Sequence, residues 1–164
     1  MKNRKPEILI IDVDGTMTNG QIVYSEKGKQ LKFFGPDDND ALNLMRKFMK
    51  IIFISADKKG FKISKKRIVD DMKFKLFSVP TLKRYQWINK KFKNKKIIYI
   101  GDGIFDYLTM KKVFYSIAPQ NSFFVTKKNA NFVTKHNGGD RAVAEAVFHI
   151  LKKFFKKDLR KVNV

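Results

Sequence analysis

The run Ile8-Leu9-Ile10-Ile11, with the residues that end it, Asp12-Val13-Asp14-Gly15-Thr16, limits what this chain can fold into more than any other stretch. A continuous branched apolar run reads as a strand buried on both faces. Such strands belong to parallel sheets covered by helices, where ligands bind outside the carboxyl ends of the strands. Asp12 and Asp14 are therefore expected at a crevice, with Gly15 turning the chain away. Two carboxylates this close repel unless a cation lies between them or one is protonated.

Further along, the same grammar repeats. Gln21 to Phe34, with Lys27-Gly28 at its centre, reads as a β-hairpin. Gly35-Pro36-Asp37-Asp38 breaks the chain and opens a helix whose apolar stripe is Ala41, Leu42, Leu44, Met45, Phe48 and Met49. Buried strands are expected at Ile51–Ile54, ending on Ser55, and at Ile97–Ile100, ending on Gly101-Asp102-Gly103. Between them lie a basic helix over Ser64–Asp71, a short strand at Phe74–Phe77 and a helix opened by Pro80-Thr81. A helix over Phe105–Val113, a strand over Phe114–Ala118, a short helix over Asn121–Lys128 and a short strand at Phe132-Val133 follow. Gly138-Gly139 then precedes a long helix, Arg141 to Phe155. Alternating strands and helices predict a parallel α/β sheet. One domain over 1–155 and a basic tail over 156–164 are expected, since 164 residues suffice for one core.

Composition excludes several classes. There is no Cys, hence no disulfide framework and no thiolate chemistry. The apolar run near the start is short and carries Asp12, so neither a signal peptide nor a membrane span is expected, and the default location is cytoplasmic. The net charge of +21 is scattered in pairs such as Lys58-Lys59, Lys90-Lys91 and Lys111-Lys112. That scatter suits solvated faces better than a nucleic-acid track, and nucleic-acid binding stays as an alternative. His136 and His149 have no partner at metal-ligand spacing, and His149 and Trp87 read as structural.

Several strands or the turns after them carry polar groups: Asp12 and Asp14, Ser55, then Asp102 with Asp106. Lys83 opens a helix between the last two. Carboxylates, a lysine and a hydroxyl along one sheet edge suit a Mg²⁺ ion facing a phosphoryl group. A carboxylate can also serve as the nucleophile.

In order, type and placement, Asp12-Val13-Asp14-Gly15-Thr16, Ser55, Lys83 and Gly101-Asp102-Gly103-Ile104-Phe105-Asp106 resemble the four motifs of the haloacid dehalogenase (HAD) phosphatases. The hairpin, the compact middle and Gly138-Gly139-x-x-Ala142-Val143-x-Glu145 are most similar to the capless 3-deoxy-octulosonate and nonulosonate phosphate phosphatases. The resemblance implies a Rossmann-like parallel sheet flanked by helices, with a hairpin after the first strand and no cap domain. It implies Asp12 as nucleophile and Asp14 as acid and base. Ser55 and Lys83 would hold phosphoryl oxygens, and Asp12, Asp14 and Asp102 would hold Mg²⁺. Asp106 would orient Lys83 or a metal-bound water. Thr16, Asp57 and Arg141 are the candidate substrate contacts.

Four positions depart from the family pattern. Ser55-Ala56-Asp57 stands for Ser-Gly-Arg, and Asp37-Asp38-Asn39 for Arg-Asp-Gly. Gly103 replaces an acid, and Asp140, beside Arg141, replaces an arginine. The expected substrate is a small phosphorylated acidic sugar. A nucleic-acid 3′-phosphatase and a non-catalytic interaction module are the alternatives. The gaps between motifs are too short for a lid that folds by itself. Together with the resemblance, this implies a homotetramer joined through the hairpin, with the tail near a neighbour's site.

Overall fold

The computed structural model describes residues 5–157, so most of the basic tail expected at 156–164 falls outside the described residues. The first apolar run forms β1 (Ile8–Asp12), buried along its whole length. It is flanked on both sides in a six-stranded sheet of order β5-β4-β1-β6-β7-β8. The other strands are β4 (Lys50–Ser55), β5 (Lys75–Ser78), β6 (Ile97–Ile100), β7 (Tyr115–Ala118) and β8 (Phe132–Val133), and every pairing is parallel. The chain builds outward from β1 through β4 to β5, then returns to lay β6 on the other side of β1. That reversal leaves a crevice above β1, where ligands bind in open parallel sheets.

Alternation along β1 explains the two-sided core. Leu9 and Ile11 face α1 (Asp38–Met45) and α6 (Ala142–Phe155), packing with Leu42, Met45, Val147 and Ile150. Ile8 and Ile10 face the opposite layer, with Ile88 of α3 (Arg84–Lys91) and Met110 of α4 (Asp106–Met110). Each fully buried Leu or Ile contributes about 1.5–3 kcal/mol relative to exposure. On α6 the buried Val143, Ala146, Val147, Ile150 and Leu151 recur at helical spacing.

Local differences from the sequence reading have physical causes. The basic helix begins as α2 (Phe61–Lys65) and widens into π-type turns over Lys66–Asp71. The helix expected from Pro80 starts with a tighter 3₁₀ turn, Thr81–Lys83, before α3. The short helix near Asn121 is α5 (Phe124–Asn129), delayed because Ser122 first closes a turn on the Pro119 carbonyl. Asp37 has a left-handed backbone and makes no side-chain cap. Buried Asp38 instead accepts a 2.8 Å bond from the Ala144 N–H, clipping α1 to the first turn of α6. Burial pushes its carboxyl up to about 6.

The hairpin, β2 (Thr18–Ser25) and β3 (Gly28–Phe34), is a separate antiparallel sheet. Its alternation is inverted. Leu31 and Phe33 are 57% and 48% exposed, whereas Lys32 between them is 8% exposed. No cap domain is found among the described residues, and no helix of theirs is long and apolar enough to cross a membrane. Trp87 packs against Phe77 and Phe92, and His149 stacks on Phe132 at 3.8 Å while bonding the Tyr115 hydroxyl, so both are structural.

Candidate active site

Asp12 ends β1 on the face of Ile8 and Ile10, which is the α3 face. There Arg84, the first residue of α3, meets it. Arg84 Nη1 lies 2.9 Å from Asp12 Oδ2, and Nη2 lies 2.9 Å from Oδ1, so the guanidinium forks both oxygens. The Val13 N–H adds a 2.8 Å bond to Oδ1. Arg84 also touches Asp106 Oδ1 and the Tyr99 hydroxyl, the latter at 2.8 Å. Tyr99 donates to Asp106 Oδ1 at 2.7 Å, and the Gly103 N–H donates to Asp106 Oδ2 at 2.9 Å. All four side chains are buried.

This arrangement corrects the expectation for Lys83. Lys83 closes the 3₁₀ turn and is exposed, while its neighbour Arg84 is the cation on Asp12. A 3₁₀ turn has three residues per turn rather than 3.6, so the phase of the helix that follows was not readable from Pro80 alone. Arg84 and Tyr99 were both missed. The available signal for Tyr99 was a lone hydroxyl inside the apolar run Ile97–Ile100, since a buried hydroxyl needs a partner.

Asp102 follows β6 and faces the Gly15 turn. Thr16 Oγ1 donates to its Oδ1 at 3.0 Å. Thr16 is fully buried and is therefore committed to Asp102 rather than to a substrate. Gly15 has φ +88°, and a Cβ there would lie 1.9 Å from Asp102 Oδ2. The late glycine pair serves the same loop: a Cβ on Gly138 would lie 1.9 Å from the Gly15 carbonyl oxygen.

Asp14 stands on the β4 side. Ser55 Oγ donates to its Oδ2 at 2.9 Å and accepts from the Asp57 N–H at 3.1 Å. Ser55 thus holds Asp14, not the open phosphoryl position expected of it. Asp57, expected to touch substrate, is taken up inside the chain. It pairs with Lys29 at 2.7 Å and Lys32 at 2.9 Å, and accepts the Gly60 N–H at 3.1 Å. Those donors outweigh its burial and hold its carboxyl down to about 2. Arg141, the third candidate contact, is half exposed and paired with Asp37 at 2.6 Å and Asp140 at 3.1 Å.

Asp12, Asp102 and Asp106 each offer an oxygen within 4.8 Å of the others. Burial drives Asp12 up to about 7, partly offset by Arg84 and reinforced by Asp106. Burial, with the charges of Asp12 and Asp106, drives Asp102 up to about 8. One guanidinium cannot balance three carboxylates, two of them buried and Asp102 partly so. The imbalance, and the all-oxygen donor set, fit a hard divalent cation. Asp106 is bound on both oxygens by Arg84, Tyr99 and the Gly103 N–H, and Asp12 by Arg84 and the Val13 N–H, so a cation held by Asp102 would share Asp12 with Arg84. A groove of about 990 Å³ between α1 and α6, lined by Leu44, Ala144 and Phe148, holds none of these carboxylates.

A capless parallel sheet with buried carboxylates beyond β1 and β6 has the fold of the HAD-family hydrolases. No family model matches the chain. It is 24% identical over 151 residues to the 3-deoxy-D-manno-octulosonate 8-phosphate phosphatase of Escherichia coli strain K12, a match spanning 84% of this chain and 75% of that protein. The cobalt-bound deoxy-D-mannose-octulosonate 8-phosphate phosphatase of Haemophilus influenzae superposes with a TM-score of 0.81 at 21% identity, covering 99% of this chain and 96% of that one. The Moraxella catarrhalis 3-deoxy-D-manno-octulosonate 8-phosphate phosphatase, in complex with magnesium, phosphate and KDO, superposes at 0.76 with 23% identity, covering 90% and 86%.

Proposed function

We propose that the chain is a Mg²⁺-dependent phosphomonoesterase acting in the cytoplasm on a small phosphorylated sugar, a 3-deoxy-octulosonate or nonulosonate phosphate of surface-glycan biosynthesis. The observation that carries the reading is Asp12, a buried carboxylate at the sheet's crevice, forked by Arg84 and faced by Asp102. The kinship with sugar-acid phosphatases supports the substrate class.

Asp12 attacks phosphorus. The aspartyl–phosphorus bond forms as the bond to the sugar oxygen breaks, and Asp14 gives that oxygen its proton. Asp14 then takes a proton from the water that cleaves the aspartyl-phosphate, restoring Asp12 and releasing inorganic phosphate. Arg84 carries the charge-stabilising role first expected of Lys83, and Asp106 and Tyr99 hold Arg84 in place. Ser55 steadies Asp14. Asp12 and Asp102 with the Asp14 carbonyl would hold Mg²⁺, which when bound would supply charge neutralisation for the carboxylates and the phosphoryl oxygens.

A panel of sugar phosphates, nucleotides and 3′-phosphorylated oligonucleotides, assayed with Mg²⁺ and with EDTA, tests this. Phosphate release is expected to be greatest from an acidic sugar phosphate and to disappear with EDTA. Release from 3′-phosphorylated DNA far above that from sugars would instead establish the nucleic-acid reading. Absence of release from every compound would leave an interaction module.

We further propose a homotetramer joined through the hairpin. Val23, Tyr24, Leu31 and Phe33 expose an apolar surface that one chain leaves uncovered, and Ile104, Phe105 and Phe123 do the same near Asp102. Light scattering at micromolar concentration is expected to return four times the 19.2 kDa chain mass. A monomeric mass would refute assembly and favour a macromolecular substrate that closes the site itself.

A further inference from the structure

Lys32 is the least expected residue of the site. It belongs to the hairpin, not to the sheet, and its neighbours Leu31 and Phe33 point outward while its own side chain is wholly buried. Its ammonium lies 2.6 Å from Asp14 Oδ1, 2.9 Å from Asp57 Oδ2 and 3.0 Å from Ser64 Oγ. An ammonium has three N–H donors and no acceptor. Its contact with Ser64 is a hydrogen bond, and its contacts with the two carboxylates are close ion pairs, so the ammonium is enclosed by this chain's own side chains. A buried lysine is costly unless paired, so a site that keeps one spends it on a particular geometry.

The partners show what that geometry is. Asp14 follows the break in β1, and its side chain is 28% exposed, enough to meet a substrate. One oxygen is fixed by Ser55 and the other by Lys32. Asp57 does not reach the substrate side at all. It braces Lys32 from behind, and Lys29 and the Gly60 N–H brace Asp57 in turn.

We propose that Lys32 is a positioning residue for Asp14: it aims the carboxyl at the leaving-group oxygen and faces the carboxylate formed once the proton has moved there. The inference rests on the phosphatase reading, in which Asp14 hands its proton to the leaving oxygen as the phosphorus–oxygen bond breaks. The acidic Asp57 is then the counter-charge that keeps Lys32 in position.

The leaving group tests this. A sugar alkoxide must be protonated as it departs, whereas p-nitrophenolate leaves without a proton. In Lys32→Met, which keeps an unbranched stem but not the ammonium, kcat is expected to fall about a hundredfold on the best sugar phosphate of the panel. On p-nitrophenyl phosphate the fall should be about threefold or less, since that reaction does not draw on the acid. Lys32→Gln should show the same split if Met disturbs folding, and thermal melting establishes that each variant is folded. In an Asp14→Asn background, Lys32→Met should add less than about a twofold loss, because two residues acting through one step are not additive. Equal losses on both substrates, or a full further loss in the Asp14→Asn background, would reduce Lys32 to a hairpin clamp and overturn the inference. A wild type that hydrolyses neither substrate would instead end the phosphatase reading, and the inference with it.

Discussion

Asp12→Asn is expected to abolish turnover, by at least about a thousandfold, while leaving the fold intact. An amide is a poor nucleophile and a weak ligand for a hard cation. It keeps one oxygen, so Arg84 loses only part of its fork and still reaches Asp106. Without metal, Asp12 and Asp102 are both pushed far above the ordinary carboxylate range, a sign that the cluster carries too much negative charge for its surroundings. Removing one carboxylate relieves that repulsion. In EDTA the variant should therefore melt no lower than the wild type. With Mg²⁺ the wild type should gain stability by mass action, and the variant should gain much less. Phosphate release assays and thermal melts, each with Mg²⁺ and with EDTA, check both halves. Turnover of a good substrate by Asp12→Asn at a sizeable fraction of the wild-type rate would remove it as nucleophile.

The second large effect separates two adjacent cations. Arg84→Met should cost about 3–5 kcal/mol of stability, because it leaves Asp12 and Asp106 buried with no positive partner. Catalysis should fall steeply as well, since Arg84 is the cation that touches Asp12, and without it Mg²⁺ alone would be left to oppose charge on the transferring phosphoryl group. Arg84→Lys should recover only part of either, because a single ammonium cannot fork Asp12 and still reach Asp106 and Tyr99. Lys83→Met, one residue earlier and exposed, should change stability by no more than about 0.5 kcal/mol and leave most of the activity. Urea unfolding and turnover of the three variants decide the matter. An inactive Lys83→Met beside an active Arg84→Met would return the phosphoryl contact to Lys83.

That pair also shows where sequence reasoning reached its limit. The strands were legible because a run such as Ile8–Ile11, continuous and branched, has no comfortable place except a sheet covered on both sides. Asp12, Asp14 and Asp102 could be placed along one sheet edge because each lies at or just beyond the end of such a strand, where topology decides position. Lys83 and Arg84 differ by one place on a helix. One residue rotates a side chain by about 100°, and the tight turn at Thr81–Lys83 sets the phase. Ser55 was expected to hold phosphoryl oxygens and Thr16 and Asp57 to touch substrate; in the structure their polar atoms are bonded to Asp14, Asp102 and Lys32. Which of them bind one another, and which remain for a ligand, depends on contacts between segments far apart in sequence. Lys32 gave a misleading signal: in β3 the apolar residues are those that would ordinarily face inward, and the structure turns the lysine inward instead.

The site is thus assembled from parts of unequal permanence. Asp12 belongs to a strand whose neighbours on both sides are themselves interior strands, so its surroundings can be lost only when the whole sheet comes apart. Lys32 belongs to a two-stranded ribbon that within one chain has most of its surface in water, a unit of marginal stability until a neighbouring copy covers it. The floor that holds the phosphoryl group and the wall that sets the proton donor therefore open at different free energies. On the proposed mechanism, opening of the ribbon in an unassembled chain would release the donor side while Asp12 stays in place, leaving a state able to accept a phosphoryl group but without the aim needed to expel an alcohol.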